Sequence, residues 1–469
     1  MHRSLWYRSG WSQERSICPC RSRTRKRACL GVVSGERSAA AGFIHATIAV
    51  RLKLVAIMHL IHPFTGLRPL AERAAEVIAP PYDVLNTEEA RARAAGRPWS
   101  FLHISKPEID LSPSTNPYAP AVYAKAAENL ACMLADGILA RDPEPCYYVY
   151  RLIMDSHLQT GLVAAASVAA YDANRIRRHE LTRPDKEIDR VRQIEALNAQ
   201  TGPVLIAYPA EPQVDAILSG VAAASPAAEV TADDGIVHQL WVLRDAQAIT
   251  RLTSAFDAMP ALYIADGHHR SAAASRVAAA RQAANSRHTG EESYNRFLSV
   301  IFPAHQMRIL DYNRVVKDLN GLAQRDFMSR VAEGFTVTSS PAAVKPGRPG
   351  DFGLYVGGQW YRLSIRAERI PADPVARLDV SLLSDHLLGP VLGIHDLRRD
   401  KRIDFVGGMR GLAELEKRVE TGEMAAAFSL FPTRMHDLIA VADAGEVMPP
   451  KSTWFEPKLA DGMVSHVLD

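Results

Sequence analysis

Short apolar runs alternate along the chain with longer amphipathic or alanine-rich stretches, a pattern typical of strands mixed with helices. Residues 147–154 and 162–171 predict a hairpin across a polar link at 157–161. Residues 99–104 alternate between apolar and polar positions and predict another strand. Runs that are short, apolar and flanked by turn residues predict buried strands at 203–208, 261–265 and 297–302.

Helical periodicity and composition predict helices at 70–78, 119–139, 271–284 and 378–388, and from Asp185 onward. A hairpin among these helices argues against a regular alternation of parallel strands and helices. The pattern therefore predicts an α+β fold with mixed and antiparallel sheets. We expect a main α+β domain over residues 58–310 and a smaller C-terminal α+β portion over residues 311–469.

Charge separates the first 57 residues from the rest of the chain. They carry eleven Lys or Arg against two acids, a net charge of +9, so the other 412 residues carry −6 of the overall +3. Three interpretations of this basic extension stand: a targeting peptide, a disordered interaction arm, or sequence translated upstream of the true start. We favour the third, with Met58 as the initiator. The acidic body lacks the basic face that nucleic-acid binding requires, so no nucleic-acid partner is expected.

Cysteine usage and hydropathy indicate the compartment. Beyond residue 57 the sequence has two cysteines, Cys132 and Cys146, which indicates a reducing environment rather than a disulfide framework. No apolar run reaches the roughly 20 residues that span a bilayer. We therefore expect a cytoplasmic protein without a membrane partner.

The densest group of reactive side chains, Asp266 to Arg270, lies between a predicted strand and a predicted helix. Such a turn directs backbone N–H groups and the positive end of a helix dipole toward an anion, usually a phosphate. Gly267 permits close approach of the backbone, and Arg270 can donate to two phosphate oxygens. Asp266 can bind Mg²⁺ or accept a proton from a hydroxyl, and an imidazole can donate to a phosphate.

Two other interpretations of this turn remain open. An Asp-Gly pair commonly marks only a tight turn. Alternatively, Asp266, His268, His269 and His179 form the site of a metal-dependent hydrolase. Neighbouring side chains of an extended backbone point to opposite faces, and no His-Glu-x-x-His motif is present, so the pattern favours an anion site.

A second polar constellation precedes and enters the helix predicted from Asp185. Its candidate residues are His179, Glu180, Arg183, Lys186, Asp189 and Arg190. Helical spacing places the last three on one face, where opposite charges also pair with each other. A solvated, salt-bridged helix therefore explains these charges as well as a functional role does.

Two proline turns supply further candidates. Pro80-Pro81 stiffens the backbone before Tyr82 and Asp83. Near the C-terminus, Pro449-Pro450 precedes three residues that can bind an anion, namely Lys451, Ser452 and Thr453. A purely structural turn is the alternative in both places.

Five spaced motifs run along the chain: Pro63-Phe64-x-Gly66-Leu67-Arg68-Pro69, Pro80-Pro81-Tyr82-Asp83-Val84, His179-Glu180-x-Thr182-Arg183-x-x-Lys186-Glu187-x-Asp189-Arg190, Ala265-Asp266-Gly267-His268-His269-Arg270 and Pro449-Pro450-Lys451-Ser452-Thr453. Together they resemble the bacterial and archaeal proteins grouped as domain of unknown function 1015 (DUF1015). The resemblance covers nearly the whole chain after residue 60 and adds Arg68 to the candidates. It implies no firmly assigned activity.

The Asp-Gly-His-His-Arg sequence is also similar to the phosphate-binding turn of the ParB and sulfiredoxin superfamily, in which free-serine kinases carry Asp-Gly-His-x-Arg. This similarity implies a ParB/sulfiredoxin-like nucleotide-binding core. Asp266 then corresponds to the acid near the metal or the substrate hydroxyl, and Gly267, His268 and Arg270 correspond to the phosphate cradle. His269 falls at the variable position and inherits no role.

The leading hypothesis is a nucleotide-dependent phosphotransferase that acts on a small hydroxylated, serine-like metabolite. Its catalytic residues would be Asp266, His268 and Glu180, and Arg183 and Lys186 would help the turn bind ATP or ADP, with CTP a further option. Asp266 would also hold Mg²⁺. The alternative is a ParB-like nucleotide-binding or nucleotide-hydrolysing switch, or a partner-binding module, with a homodimer as one expected form.

Overall fold

Four β-sheets organise residues 59–469, the part of the chain that this computed structural model describes. The largest sheet has nine strands, and two of its neighbouring strand pairs are parallel while the others are antiparallel. Its strands are, in spatial order, Ile176–Arg177, Leu262–Asp266, Val204–Tyr208, Arg296–Pro303, His157–Ser167, Tyr147–Met154, Val237–Leu243 and Ala228–Thr231, with Ile61–His62 paired to His157–Ser167.

A second, antiparallel sheet has six strands in the order Phe335–Ser340, Gln359–Ile365, Asp351–Val356, Ala426–Leu430, Tyr312–Val316 and Ile403–Gly407. A four-stranded sheet joins Leu139–Arg141, Gly66–Pro69, Ser465–Val467 and Ala199–Gln200, and a two-stranded sheet joins Arg308–Leu310 and Trp454–Glu456. The predicted α+β class with mixed and antiparallel sheets is confirmed.

Helices lie between and around these sheets. The α-helices are Ala74–Val77, Thr87–Ala94, Leu102–Ser105, Pro120–Ala135, Val168–Asp172, Pro184–Leu197, Pro212–Val221, Ala246–Asp257, His268–Ala284, Gln324–Gly334, Asp379–Leu383, Gly411–Glu420 and Met435–Asp443. Short 3₁₀ turns occur at Ala71–Arg73, Pro107–Asp110, Ser293–Asn295, Ala304–Gln306, Ala367–Arg369 and Gly408–Arg410, and Ser384–Leu388 is a π-helix. Among the described helices, none is both long and apolar enough to cross a membrane.

The central strands of the large sheet are apolar on both faces, which explains why they appear in the sequence as continuous apolar runs. In Tyr147–Met154, the side chains of Tyr148 and Tyr150 belong to one hydrophobic cluster, whereas those of Tyr147 and Val149 belong to another. The sheet therefore has a core on each side, and its strand ends, rather than its faces, are open to a ligand.

Three local predictions are wrong. The strand predicted at 162–171 ends at Ser167, and Val168–Asp172 is a helix. Residues 99–104 form a turn leading into the helix Leu102–Ser105, because Phe101, Leu102 and Ile104 all pack into one helical cluster. The residues predicted as the hairpin link, 157–161, belong to the second strand, since Gln159 and Thr160 are buried in the sheet. The turn is instead made at Asp155, which adopts a φ of 54°.

The C-terminal segment packs against residues near the start of the described part of the chain. Ser465–Val467 pairs with Gly66–Pro69, and Asp461 forms an isolated bridge with Ala79. Residues 59–469 fall within one compact unit, so a domain division at residue 311 stays a prediction. The predicted extension, residues 1–57, and the proposed start at Met58 lie outside the described residues. The returning tail carries residues 448–458 to the end of the strand Leu262–Asp266 in the large sheet, where the candidate site lies.

Candidate functional site

A strand, one glycine and a helix form the turn at the centre of the site. The strand Leu262–Asp266 ends at the acid, Gly267 adopts a φ of 96°, and the helix His268–Ala284 begins at once. A Cβ atom on Gly267 would lie 3.3 Å from the Cα atom of Val204, so the position is restricted both by conformation and by space. The helix starts three residues earlier than predicted, which places both histidines and Arg270 in its first turn.

The turn opens into a cleft of about 1110 Å³. This volume is slightly above the range typical of small-molecule sites, roughly 300–1,000 Å³. Nine Lys or Arg side chains line the cleft against five Asp or Glu, an excess of four positive charges. Since residues 58–469 carry a net charge of −6, this local excess indicates an anionic ligand.

The structure brings together all but one of the predicted site residues. The cleft is lined by Tyr82, Asp83, His179, Glu180, Arg183, Lys186, Asp189, Arg190, Asp266, Gly267, His268, His269, Arg270, Lys451, Ser452 and Thr453. The exception is Arg68, whose Nε lies 2.8 Å from the Asp142 carboxylate in a separate ion pair.

Asp266 is held as a carboxylate at the mouth of the turn. Its Oδ1 accepts a hydrogen bond from the Gly267 N–H at 2.7 Å, and its Oδ2 lies 3.4 Å from Nζ of Lys458. Burial raises the pKa of Asp266, but the charges of Lys458 and Arg270 outweigh burial and bring that pKa well below its ordinary value. Asp266 therefore stays ionised at neutral pH.

His268 connects the turn with the second polar constellation. The His179 backbone N–H donates to His268 Nε2 at 3.4 Å, so the proton of a neutral His268 lies on Nδ1, which is 3.7 Å from Oε2 of Glu180. Burial and then His179 lower the pKa of His268 well below its ordinary value. Burial and then Asp266 raise the pKa of Glu180. The site thus contains a neutral imidazole beside a carboxyl group that protonates more readily than usual.

Arg270 turns inward beneath the glycine. Its Nη1 donates to the Pro203 carbonyl, and its Nη2 lies 3.4 Å from Asp83 and 3.9 Å from Asp266. Burial lowers the pKa of Arg270, but the two carboxylates outweigh burial and raise it overall. Both terminal nitrogens thus have protein partners, which is the geometry of a group that positions Asp83 and Asp266. The predicted two-pronged contact with a phosphate would require these partners to be released.

His269 has a different role from its neighbour. Its Nε2 accepts a hydrogen bond from the Arg183 N–H at 3.0 Å, so it fixes the start of the helix Pro184–Leu197. The histidines of the turn thus have separate partners. No group of three or more His, Cys, Asp or Glu in residues 59–469 is arranged to hold a metal ion. This geometry supplies no cluster for the metal-dependent hydrolase that the sequence left open.

The charged helix supports one wall of the cleft. Arg190 donates to Asp189 at 2.7 Å and stacks over the Tyr82 ring at 3.9 Å, and Tyr123 donates to Asp189 at 2.8 Å. Asp189 and Tyr123 are buried, Arg190 and Tyr82 are half-buried, and the polar groups of this set pair with one another. Arg183 and Lys186 are more exposed, and they contact Asp185 and the Tyr118 hydroxyl respectively.

The C-terminal turn forms the opposite wall. Ser452 is buried and its hydroxyl donates to the Pro449 carbonyl at 2.6 Å, so it shapes the turn rather than facing the cleft. Lys451 is exposed, and Thr453 is half-buried in the lining. Lys458, the ion-pair partner of Asp266, is not among the residues predicted from the sequence, because only the returning tail brings it to the turn.

Asp461 was also missed, and no motif in the sequence marks it. It is 1% exposed, and its Oδ1 has no hydrogen-bond partner in the described chain. Burial raises its pKa to about 7, against the opposing effect of Arg270. Asp461 therefore lies beneath the site as a carboxyl group that is partly protonated at neutral pH.

We expect the stability of Asp461→Asn relative to the parent to increase as the pH rises. The folded-state pKa of Asp461 is raised above its ordinary value of 3.8, so the stability that this group contributes is complete below pH 3.8 and is lost as the pH approaches 7. The asparagine does not titrate. The unfolding free energy of the variant relative to the parent should therefore increase between pH 4 and pH 7, by at most about 1.4 kcal/mol per pH unit.

Thermal unfolding of both proteins at pH 5 and pH 8 measures this difference. An unchanged difference between the two pH values would contradict the assignment. The exposed Asp326→Asn variant serves as the control for removal of a carboxylate outside the cleft.

Comparisons with known proteins give one family match and several similar solved structures. A family model described as protein of unknown function, DUF1015, matches residues 61–381. A solved structure described as free serine kinase in complex with AMP has 14% identity and a TM-score of 0.33, with 64% of this chain and 92% of that chain covered.

Two further solved structures are similar at the same level. A conserved hypothetical protein from Pyrococcus furiosus has 15% identity and a TM-score of 0.32, with 64% of this chain and 93% of that chain covered. SbnI with a C-terminal truncation, from Staphylococcus aureus, has 10% identity and a TM-score of 0.33, with 64% and 85% covered. Similarities at this level assign no activity to the chain. A comparison with curated proteins found no match.

Proposed function

Because the chain belongs to the DUF1015 family, whose function is unknown, we propose from the geometry of its own cleft that it is a nucleotide-dependent phosphotransferase acting on a small hydroxylated metabolite. The family match confirms the resemblance, and four of the five sequence motifs lie within the matched residues 61–381. The activity, the nucleotide and the metabolite are parts of the proposal.

The observation that carries the proposal is a pair of carboxyl groups with opposite pKa shifts beside a glycine turn at a helix start. Asp266 has a lowered pKa and Glu180 a raised one. Two neighbouring titratable groups whose pKa values are shifted in opposite directions are typical of catalytic sites, where one group stays ionised and the other transfers a proton. Their position at the Gly267 turn, in a cleft with excess positive charge, favours transfer of a phosphoryl group.

The residues of this chain divide the work as follows. Gly267 and the first-turn N–H groups of the helix His268–Ala284 would hold the phosphates. Glu180 would accept the proton of the acceptor hydroxyl. The hydroxyl oxygen would then bond to the terminal phosphorus of the nucleotide, and the bond from that phosphorus to its bridging oxygen would break, which releases the shortened nucleotide. His268 would orient Glu180, and Lys458 would neutralise charge that develops on the transferred group.

Asp266 fits the role of a single protein ligand to Mg²⁺. Magnesium sites for nucleotides commonly use one or two carboxylates, with phosphate and water oxygens as the other ligands. The ionised Asp266 meets that requirement, and the nearby Lys458 would have to yield part of its contact. The ion, when bound, would neutralise phosphate charge.

Nucleotide binding at the turn can be tested with a matched pair of glycine variants. Gly267 and Gly290 adopt φ values of 96° and 94°, but a Cβ atom meets neighbours within 4 Å only at Gly267. Both Gly267→Ala and Gly290→Ala should destabilise the protein by about 1–3 kcal/mol through backbone strain. Gly267→Ala alone should weaken nucleotide binding, because its methyl group presses on Arg270 and the Val204 backbone beneath the turn and so distorts the phosphate cradle.

The measurement is the shift in unfolding temperature with ATP, ADP or CTP in the presence of Mg²⁺. The parent and Gly290→Ala should be stabilised to the same extent, and Gly267→Ala much less. Stabilisation of Gly267→Ala equal to that of Gly290→Ala would place the nucleotide elsewhere. Nucleotide turnover without a phosphorylated metabolite would favour the alternative of a ParB-like switch.

A further inference from the structure

The C-terminal side of the cleft is a surface of aromatic rings and cations, which we call the aromatic-basic wall and define as Tyr312, Phe405, Trp454, Lys451 and Arg398. The Tyr312 ring packs edge-on against Trp454 at 5.1 Å and against Phe405 at 6.0 Å. The Lys451 ammonium lies 5.5 Å from the centre of the Tyr312 ring. The three rings and Lys451 thus form a continuous surface, and Arg398 lines the same cleft.

The cations of this wall are available to a ligand. In the described part of the chain, neither the Arg398 guanidinium nor the Lys451 ammonium makes a hydrogen bond or an ion pair within 4.0 Å. Other cations of the cleft are engaged by the protein: Arg183 by Asp185, Lys186 by Tyr118, Arg190 by Asp189 and Arg270 by Asp83. Free positive charge in the cleft is therefore concentrated on the wall.

A buried arginine lies directly behind the wall. Arg314 is completely buried, and its guanidinium donates to the backbone carbonyls of Tyr312 and Lys451. Burial lowers the pKa of Arg314 to about 10, so it is charged at neutral pH. Its contacts in residues 59–469 include no carboxylate, and its Nε has no partner. Burying a cation without an anion costs folding free energy. Here the buried charge adds positive potential to the wall.

The turn that presents Lys451 is held in an unfavourable backbone conformation. Lys451 adopts a φ of 61°, a backbone conformation that residues other than glycine rarely adopt. Ser452 and Thr433 fix the turn through hydrogen bonds to the carbonyls of Pro449 and Ser452, at 2.6 and 2.7 Å. Backbone strain that the surrounding hydrogen bonds hold in place is common at functional sites, where a side chain must be positioned accurately.

The wall is connected to the reacting groups. Lys458 Nζ lies 3.4 Å from Asp266 Oδ2 and 5.4 Å from the centre of the Trp454 ring, so one side chain bridges the turn and the wall. Glu180 lines the same cleft as the wall, and its pKa is raised by burial and then by Asp266 and lowered by Lys451 and Arg398, so its carboxyl group lies within electrostatic range of both the turn and the wall. A ligand whose hydroxyl reaches Glu180 can therefore extend its other end to Lys451 and Arg398.

From this arrangement we propose that the aromatic-basic wall binds an anionic group of the acceptor, so that the acceptor is a hydroxyl compound carrying a carboxylate or a phosphate. The inference rests on the proposed phosphotransferase function and specifies the substrate class for it. Lys451 and Arg398 supply the charge-assisted hydrogen bonds, and Tyr312 and Trp454 cover the apolar part of the molecule.

Three probes that share a hydroxylated three-carbon skeleton separate charge from shape: glycerol, glycerate and glycerol phosphate. We expect calorimetry on the full chain, loaded with Mg²⁺ and a non-hydrolysable ATP analogue, to show binding of glycerate or glycerol phosphate and none of glycerol. Whichever charged probe binds identifies the anionic group. Lys451→Ala and Arg398→Ala should each weaken that binding about ten- to hundredfold, since each removes a charge-assisted hydrogen bond.

Affinity for the ATP analogue should be unchanged in both variants. The charge-preserving Lys451→Arg variant should retain binding of the probe, and the exposed Lys345→Ala and Arg251→Ala variants, outside the cleft, should bind like the parent. Equal binding of all three probes, or of none, would overturn the inference. Loss of nucleotide binding in the wall variants would also overturn it, because the wall would then hold the nucleotide.

The measurement requires no turnover. A protein that binds the charged probes at the wall but transfers no phosphoryl group therefore contradicts the proposed function while the anion site stands.

Discussion

Replacement of Asp266 by asparagine should reduce nucleotide-dependent phosphorylation of the acceptor about 10²–10⁴-fold while the protein stays folded. The variant keeps the size of the side chain and its hydrogen bond from the Gly267 N–H, but it removes the charge that faces Lys458 at 3.4 Å. Because the charges of Lys458 and Arg270 outweigh burial and keep Asp266 ionised, the substitution removes a full negative charge from the turn. The rate is measured by mass spectrometry of the phosphorylated acceptor.

The role of Asp266 can be separated from its contribution to the fold. About a third of its side chain is exposed, and Arg270 keeps Asp83 as a partner, so the unfolding temperature without ligand should change little. If Asp266 binds Mg²⁺, the ion should enlarge the rise in unfolding temperature that the nucleotide causes in the parent, but not the rise in Asp266→Asn. Asp326→Asn, at an exposed helix position outside the cleft, is the matched control. A variant that retains its rate within about threefold would exclude Asp266 from the chemistry.

Replacement of Glu180 by glutamine should remove the acidic limb of the pH–rate profile and lower the rate about 10²–10⁴-fold. A base acts in its deprotonated form, so activity of the parent should fall as the pH decreases through the pKa of Glu180. Burial and then Asp266 raise that pKa above its ordinary value of 4.5, and the limb should therefore lie at a higher pH than for an ordinary glutamate.

Burial moves the pKa of His268 well below 6.5, in the direction opposite to the shift that burial gives the pKa of Glu180. Nucleotide stabilisation should be the same in Glu180→Gln and the parent, since Glu180 is assigned to the acceptor. Glu195→Gln, at an exposed position on the helix Pro184–Leu197, should keep both the rate and the limb. An acidic limb that persists in Glu180→Gln would assign the base to another residue.

The turn itself was predictable because its determinants are local. The apolar run before Asp266, the glycine, and the alanine-rich stretch after it predict strand, turn and helix, and the structure has all three. The helix Pro184–Leu197 and the hairpin of the large sheet follow equally from neighbouring residues. Errors arose where a short pattern fitted two structures, as at Phe101 and Leu102, whose burial was decided by a helix packed against them.

The site could be predicted as a set of motifs but not as an arrangement. Nothing in the sequence shows that Arg270 turns inward to the Pro203 carbonyl, or that His269 fixes the helix of Arg183. Lys458, Asp461 and Arg314 belong to no motif that composition or spacing reveals. Each acquires its importance from burial and from partners more than 100 positions away in sequence.

The sequence by itself determined the class of fold, the turn at Gly267 and the membership of a family, since these depend on local conformation and on motifs in order. The tertiary structure decided that residues 179–190, 265–270 and 448–458 line one cleft, and it alone set the opposite pKa shifts of Asp266 and Glu180. The physical reason is that backbone preference acts over a few residues. Desolvation and charge pairing act through space, between groups that only the folded chain brings together.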